Sequence, residues 1–251
     1  MAQDFLGKWE LFRAAREERL TAPHGYLAIT GLYWLDATRK RYDGAPGHWW
    51  LGEDGVEVDL GPDDAMTIDG REVRGHQVLG PVGESGIRAT TGEVEIEVAG
   101  RDGAVLLRPR DPAHPLRAAY RPTPTFPPSP DWVVSAAFHA RDGDEPIDGV
   151  VGEVAFAVAG ESQRLVAYDD DGGLWLVFAD ATTGTTTYGA GRQLYAPPPS
   201  LDGSVVLDFN RTTNLPCAYT DFTTCPVPLP QNRMQVAIEA GEQIPLGTGS
   251  V

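Results

Sequence analysis

Lysine is nearly missing from this chain. Lys8 and Lys40 are its only two, so arginine carries the rest of the positive charge. Positive charge as a whole is scarce, because 20 Lys and Arg stand against 36 Asp and Glu, for a formal net charge of −16. Phosphate backbones and anionic lipid surfaces are bound by basic footprints, so this balance argues against both a nucleic-acid partner and a membrane-surface partner. Apolar runs of the ~18 residues needed to span a bilayer are absent. The first residues lack the unbroken apolar stretch of an export signal, with Lys8, Glu10, Arg13 and Arg16 recurring through them. That reading predicts a cytoplasmic protein, whose two cysteines, Cys217 and Cys225, are reduced and carry no metal.

Familiar catalytic signatures are missing as well. There is no GxSxG elbow, no HExxH, no phosphate-binding GxxxxGK[ST] loop, and no GxGxxG following a strand. The five histidines, His24, His48, His76, His114 and His139, are scattered without ligand spacing, so no metal site and no bound cofactor are expected.

What is abundant is glycine and proline, 29 and 21 residues. Both interrupt helices and punctuate turns. The length, 251 residues, suffices for a sizeable core, with about 70–75% of the unfolded surface removed from water. Residues 4–20 have helical periodicity. Asp4 is a candidate N-cap, Phe5, Trp9, Phe12 and Leu20 recur on one side, Glu17, Glu18 and Arg19 give a wet face, and Thr21-Ala22-Pro23 stops it. From 26 to 108 the pattern has a period of two. Val56, Val58 and Leu60 alternate with Glu57 and Asp59, and Val94, Ile96 and Val98 alternate with Glu93, Glu95 and Glu97. These are half-buried strands with one wet face, and Asp69-Gly70 fits a two-residue hairpin turn.

Eight prolines fall between Pro109 and Pro130, which predicts an extended connection that is neither helix nor central strand. Strands resume at 133–138, 150–158, 164–167, 174–178, 205–210 and 236–239, with 169–173 as a turn. The expected architecture is mostly β: an N-terminal helix over 1–25 that packs on the sheets, an antiparallel β unit over 26–108, the proline-rich connection over 109–130, and a second antiparallel unit over 131–251, each of sandwich or barrel type.

The densest run of candidate functional residues lies between Tyr188 and Arg233: Tyr188-Gly189-Ala190-Gly191-Arg192, then Asp208-Phe209-Asn210-Arg211, then Asn214-Leu215-Pro216-Cys217-Ala218-Tyr219, then Cys225-Pro226-Val227-Pro228 and Asn232-Arg233. This order resembles the C-terminal signature of the domain-of-unknown-function 1684 family of uncharacterised bacterial and archaeal proteins. Gly31-Leu32-Tyr33-Trp34-Leu35 is similar to that family's early motif. The resemblance is strongest after Trp175 and weakest over 40–90, and it implies no chemistry.

Read physically, alternation over 205–210 puts Asp208 and Asn210 on one face, followed at once by Arg211. Antiparallel pairing that sets 192 beside 210 would add Arg192, with Arg233 as a further partner and Asn214 and Tyr219 near by. In one reading this is a polar pocket for a small, anionic molecule. Arg192 and Arg211 hold the anion, Asn210, Asn214, Asn232 and Arg233 complete the binding set, Asp208 is a general base, and Tyr195 or Tyr219 a general acid of a cofactor-independent enzyme. In the other reading the same residues form a sealed Asp–Arg–Asn network in a non-enzymatic binding or scaffolding module, with the asparagines capping backbone. For Cys217 and Cys225 the alternatives to buried thiols are a disulfide, a metal site and a reactive thiolate. Oligomeric state leaves no trace in the pattern.

Overall fold

In a computed structural model, which describes residues 2–141 and 149–247, the chain divides into two compact units. One consists of Glu18–Tyr120. The other consists of Met1–Glu17 together with Arg121–Val251. The division passes through the first helix, α1 (Ala2–Thr21). This helix starts before Asp4, so Asp4 is no N-cap; it sits in the first turn and bonds Lys8.

The Glu18–Tyr120 unit is built from short antiparallel strands: β1 (Tyr33–Trp34), β2 (Lys40–Tyr42), β3 (Ala45–Gly52), β4 (Gly55–Asp59), β5 (Met66–Ile68), β6 (Arg71–Val73), β7 (His76–Gly80), β8 (Ile87–Thr91), β9 (Val94–Arg101) and β10 (Ala104–Arg110). They form a six-stranded sheet ordered β1-β10-β9-β8-β5-β6 and a four-stranded sheet ordered β2-β3-β4-β7. One core draws on both sheets, with Trp49, Val56 and Val58 from one and Ile96, Val98 and Leu107 from the other. Asp69 and Gly70 take φ of 50° and 75° between paired Ile68 and Arg71, the backbone a primed two-residue turn requires. Glu97 departs from its expected wet position. It is buried opposite Arg108 and bonded to Arg108 and Arg110 on the neighbouring strand. The proline-rich stretch is not wholly extended either: α2 (Pro115–Ala119) is a short helix that opens on proline, whose fixed φ suits a first helical position.

The second unit contains β11 (Val133–Ala140), β12 (Val150–Val158), β13 (Glu161–Asp170), β14 (Gly173–Phe178), β15 (Arg192–Ala196), β16 (Ser204–Asp208) and β17 (Thr213–Asn214). Its antiparallel sheet has the order β16-β11-β12-β13-β14-β15-β17. The sheet curls, so that β15 and β16 approach each other without being hydrogen-bonded neighbours. Val154, Phe156, Leu165, Leu176, Leu194 and Leu207 point into the hollow. The expected strand at 236–239 does not form. Instead the segment after Asn232 runs beside Ala179 in a single parallel bridge, and Met234, Val236, Ile238 and Ala240 fill the hollow. The strand predicted for 205–210 stops at Asp208, whose carboxylate accepts from the Asn210 backbone N–H and turns the chain into a 3-10 helix over Phe209–Arg211. Phe209 and Asn210 are therefore both buried, instead of lying on opposite faces.

Candidate functional site

Arg192 opens β15 on the inward face and is completely buried. Its Nη2 donates to Asp180 Oδ2 at 2.9 Å and to the Ile238 carbonyl at 2.8 Å. Its Nη1 donates to the carbonyls of Ala240 at 2.5 Å and Glu242 at 3.2 Å. The guanidinium thus fastens the C-terminal segment inside the curled sheet. Burial pulls the Arg192 pKa down against the opposing attraction of Asp180. Asp180 is held in turn, because Oδ1 accepts from the Thr182 N–H and hydroxyl and from the Ile238 N–H.

Next to this pair lies Glu242, also fully buried. Its carboxylate accepts from Arg13 Nη1 at 2.7 Å, Arg16 Nε at 3.1 Å, the Asn214 N–H at 2.6 Å and the Tyr219 hydroxyl at 2.9 Å. Burial on its own would raise the Glu242 pKa. The charges and hydrogen bonds of Arg16 and Arg13, with the Asn214 amide, outweigh it and hold the carboxyl below its ordinary value. Tyr219 is driven the other way: desolvation and the adjacent Glu242 charge raise its pKa. A tyrosine so placed keeps its proton at neutral pH and faces a carboxylate, which suits an internal tie better than a general acid.

The expected cluster therefore separates into several places. Arg192 and Asn214 are brought together as cross-strand partners, with Tyr219 on the same Glu242. The residue paired with Arg192 is 214, not 210, and its carboxylate partner is Asp180, not Asp208. Asp208 pairs with Arg211 at 3.1 Å on a half-exposed turn, and Arg211 lies over the Phe12 ring of α1. The Asn210 amide exchanges two 2.9 Å hydrogen bonds with the Ser129 backbone. Asn232 inserts where β13 and β14 part, accepting from the Val166 N–H and donating to the carbonyls of Val166 and Val177. Arg233 is exposed beside it. Tyr195 lies on the outer face of the sheet, 50% exposed, stacked on Trp175.

Glu242, Asp180, Arg13 and Arg16 escape a reading by motif. Only the arginines leave a signal, since Arg13 falls four residues after Trp9 and Arg16 four residues from both Phe12 and Leu20, on the apolar stripe of α1. Cys217 and Cys225 are not free thiols. They form a disulfide with Cα atoms 5.8 Å apart, within the range such bonds require. No group of three or more His, Cys, Asp or Glu side chains that could hold a metal occurs among the described residues.

A cleft of about 350 Å³ does open in this unit, and neither Arg192 nor Glu242 lines it. It is lined by His139, Ala140, Arg141, Val150, Gly152, Glu153 and Val166. His139 and Glu153 are direct cross-strand partners, and Glu153 is ion-paired to Arg164. The pairing of β12 with β13 is irregular between Val150 and Gly152. Gly152 is needed there, because a Cβ would stand 2.3 Å from the His139 carbonyl oxygen. Among the described residues, no carboxylate lies within ion-pair distance of Arg141.

No helix among the described residues is long and apolar enough to cross a membrane. In comparisons with known proteins, the family model described as "Protein of unknown function (DUF1684)" matches residues 118–243. A solution NMR structure of an uncharacterized protein of Haloarcula marismortui is 31% identical, covers 51% of this chain and 78% of its own, and aligns with a TM-score of 0.44. No curated protein matches the chain.

Proposed function

The chain belongs to this family of unknown function, and from that premise we propose a non-enzymatic binding module that takes a small anionic molecule in the cleft beside β11 and β12, while the signature residues keep the fold locked. The observation that carries this reading is the difference between the two places. Around Arg192 and Glu242 every carboxylate is occupied by internal donors and both residues are sealed from solvent, so a ligand would have to displace bonds made in a low-dielectric interior. The cleft is open, and its size falls in the range of small-molecule sites.

Among the described lining residues the charge favours an anion. Glu153 is neutralised by Arg164, which leaves Arg141, with His139 beside it, to face the bound molecule. Arginine presents a forked donor that fits a carboxylate or phosphate edge. The test is native mass spectrometry on freshly purified protein, followed by thermal-shift titration with a panel of carboxylates and phosphates. A bound or stabilising anion lost in Arg141→Ala, with the melting temperature of the free protein unchanged, is the expected result. Failure of the whole panel, or binding that survives Arg141→Ala and His139→Ala together, overturns the reading.

A further inference from the structure

We propose that the Cys217–Cys225 disulfide is a reversible exchange site for a dithiol reductant, and that it controls whether the segment carrying Tyr219 stays seated on Glu242. Three observations meet here. Both cysteines are only partly buried, so a thiol can approach the bond. The bond closes a short loop, with a sequence separation of 8, and that loop contains Tyr219. Tyr219 is tied to Glu242 at 2.9 Å and to the Thr123 hydroxyl at 3.0 Å.

Past Thr220, the chain leading to Cys225 has little else to hold it. Residues 221–229 form no strand or helix, and regular anchoring returns only at Asn232. Before the loop, the Cys217 carbonyl accepts from the Tyr188 hydroxyl, and the 3-10 helix over Pro216–Ala218 follows directly on β17. One end of the covalent clasp is thus fixed to the sheet and the other to an unpaired segment.

The chemistry balances without any further group. A thiolate of the dithiol attacks one sulfur, forms a mixed disulfide and releases the other cysteine as a thiolate. The second thiol of the reductant then displaces the remaining cysteine. The protein gains two thiols and the reductant leaves as its own disulfide, with two electrons transferred. Opening a loop of this size removes a constraint from the unfolded chain and a tether from the folded one.

The test uses the full chain. Alkylation of native protein purified without reductant, read by mass spectrometry, should find both cysteines blocked. After incubation with dithiothreitol under native conditions both should label, the melting temperature should fall by about 5–10 °C, and chymotrypsin should cut at Phe222. Reoxidation should reverse all three changes. The Cys217→Ser/Cys225→Ser double variant should behave as the reduced form and ignore dithiothreitol. Free thiols in the unreduced protein overturn the proposal. So does a bond that resists dithiothreitol until the chain is unfolded, and so does reduction that leaves the melt and the cleavage unchanged.

Discussion

Arg192 and Asp180, twelve residues apart in sequence and both fully sealed from water, form an ion pair of 2.9 Å that is the fixed point of the C-terminal unit. From the arginine the bonds fan out to three carbonyls of the closing segment, at Ile238, Ala240 and Glu242. From the aspartate they return to the Thr182 turn and to the Ile238 amide. Among the described residues these three carbonyls accept from no backbone N–H, so a side chain satisfies what a sheet would otherwise satisfy.

Removing one member of such a pair leaves the other charged in a dry interior. Arg192→Ala is expected to cost about 3–5 kcal/mol of stability and to expose three carbonyls without donors. Arg211→Ala, which breaks the half-exposed pair with Asp208 and the contact over the Phe12 ring, should cost no more than about 2 kcal/mol. Urea titrations of the two variants against the parent protein check both figures. Equal losses would mean that the Arg192 site is not a closed lock.

Asn232 supplies a sharper probe, because its amide uses both ends. The oxygen accepts from the Val166 N–H at 2.7 Å, and the nitrogen donates at 3.0 and 2.8 Å to Val166 and Val177. Asn232→Ala should cost about 2–3 kcal/mol for the orphaned backbone groups. Asn232→Asp, which is isosteric, should be worse, since a carboxylate cannot donate to the two carbonyls and brings a buried charge. Aspartate tolerated better than alanine would show that water reaches this gap.

The family match starts at residue 118, yet the unit holding that region includes the first turns of α1. Arg13 and Arg16 supply both cationic partners of buried Glu242. A fragment beginning at residue 118 should therefore fail to give a cooperative thermal transition by circular dichroism. Addition of a peptide spanning residues 1–21 should restore one. A fragment that melts cooperatively by itself would remove the helix from the folding unit.

Features set by local rules were legible in the sequence, such as α1, the Asp69-Gly70 hairpin, and the alternation of Val56, Val58, Val94 and Ile96. The candidate site was much less so. Alternation carries the strand on to Asn210, but the Asp208 side chain captures the Asn210 amide and ends the strand at Asp208, two residues short. That competition between side chain and ladder has the same sequence pattern whichever wins. Glu242 sits in a segment without periodicity, and its partners lie 226 and 229 residues away in Arg16 and Arg13. Alternation also assigned Glu97 to solvent, although the strand facing it carries Arg108 directly opposite, a pairing that only register reveals.

The burial of Glu97 against two arginines makes stability depend on pH. Burial would raise the Glu97 carboxyl, but the hydrogen bonds and charges of Arg108 and Arg110 overcome it, and its pKa falls to about 2 from an ordinary 4.5. The unfolded chain therefore takes up the proton at higher pH than the folded one. The stability Glu97 contributes is fully present above about pH 4.5 and is lost as the pH falls toward about 2. The whole contribution is roughly 3 kcal/mol, with roughly 2 kcal/mol of it gone by pH 3. Other carboxylates titrate in the same window, so the quantity to measure is a difference. Urea unfolding of the parent and of Glu97→Gln is compared at pH 6 and at pH 3, following the transition of the Glu18–Tyr120 unit. The gap between the two proteins should narrow on acidification, because glutamine has no proton to gain. A gap that stays constant would mean that Glu97 titrates alike in both states, and that the two arginines do not hold it ionised.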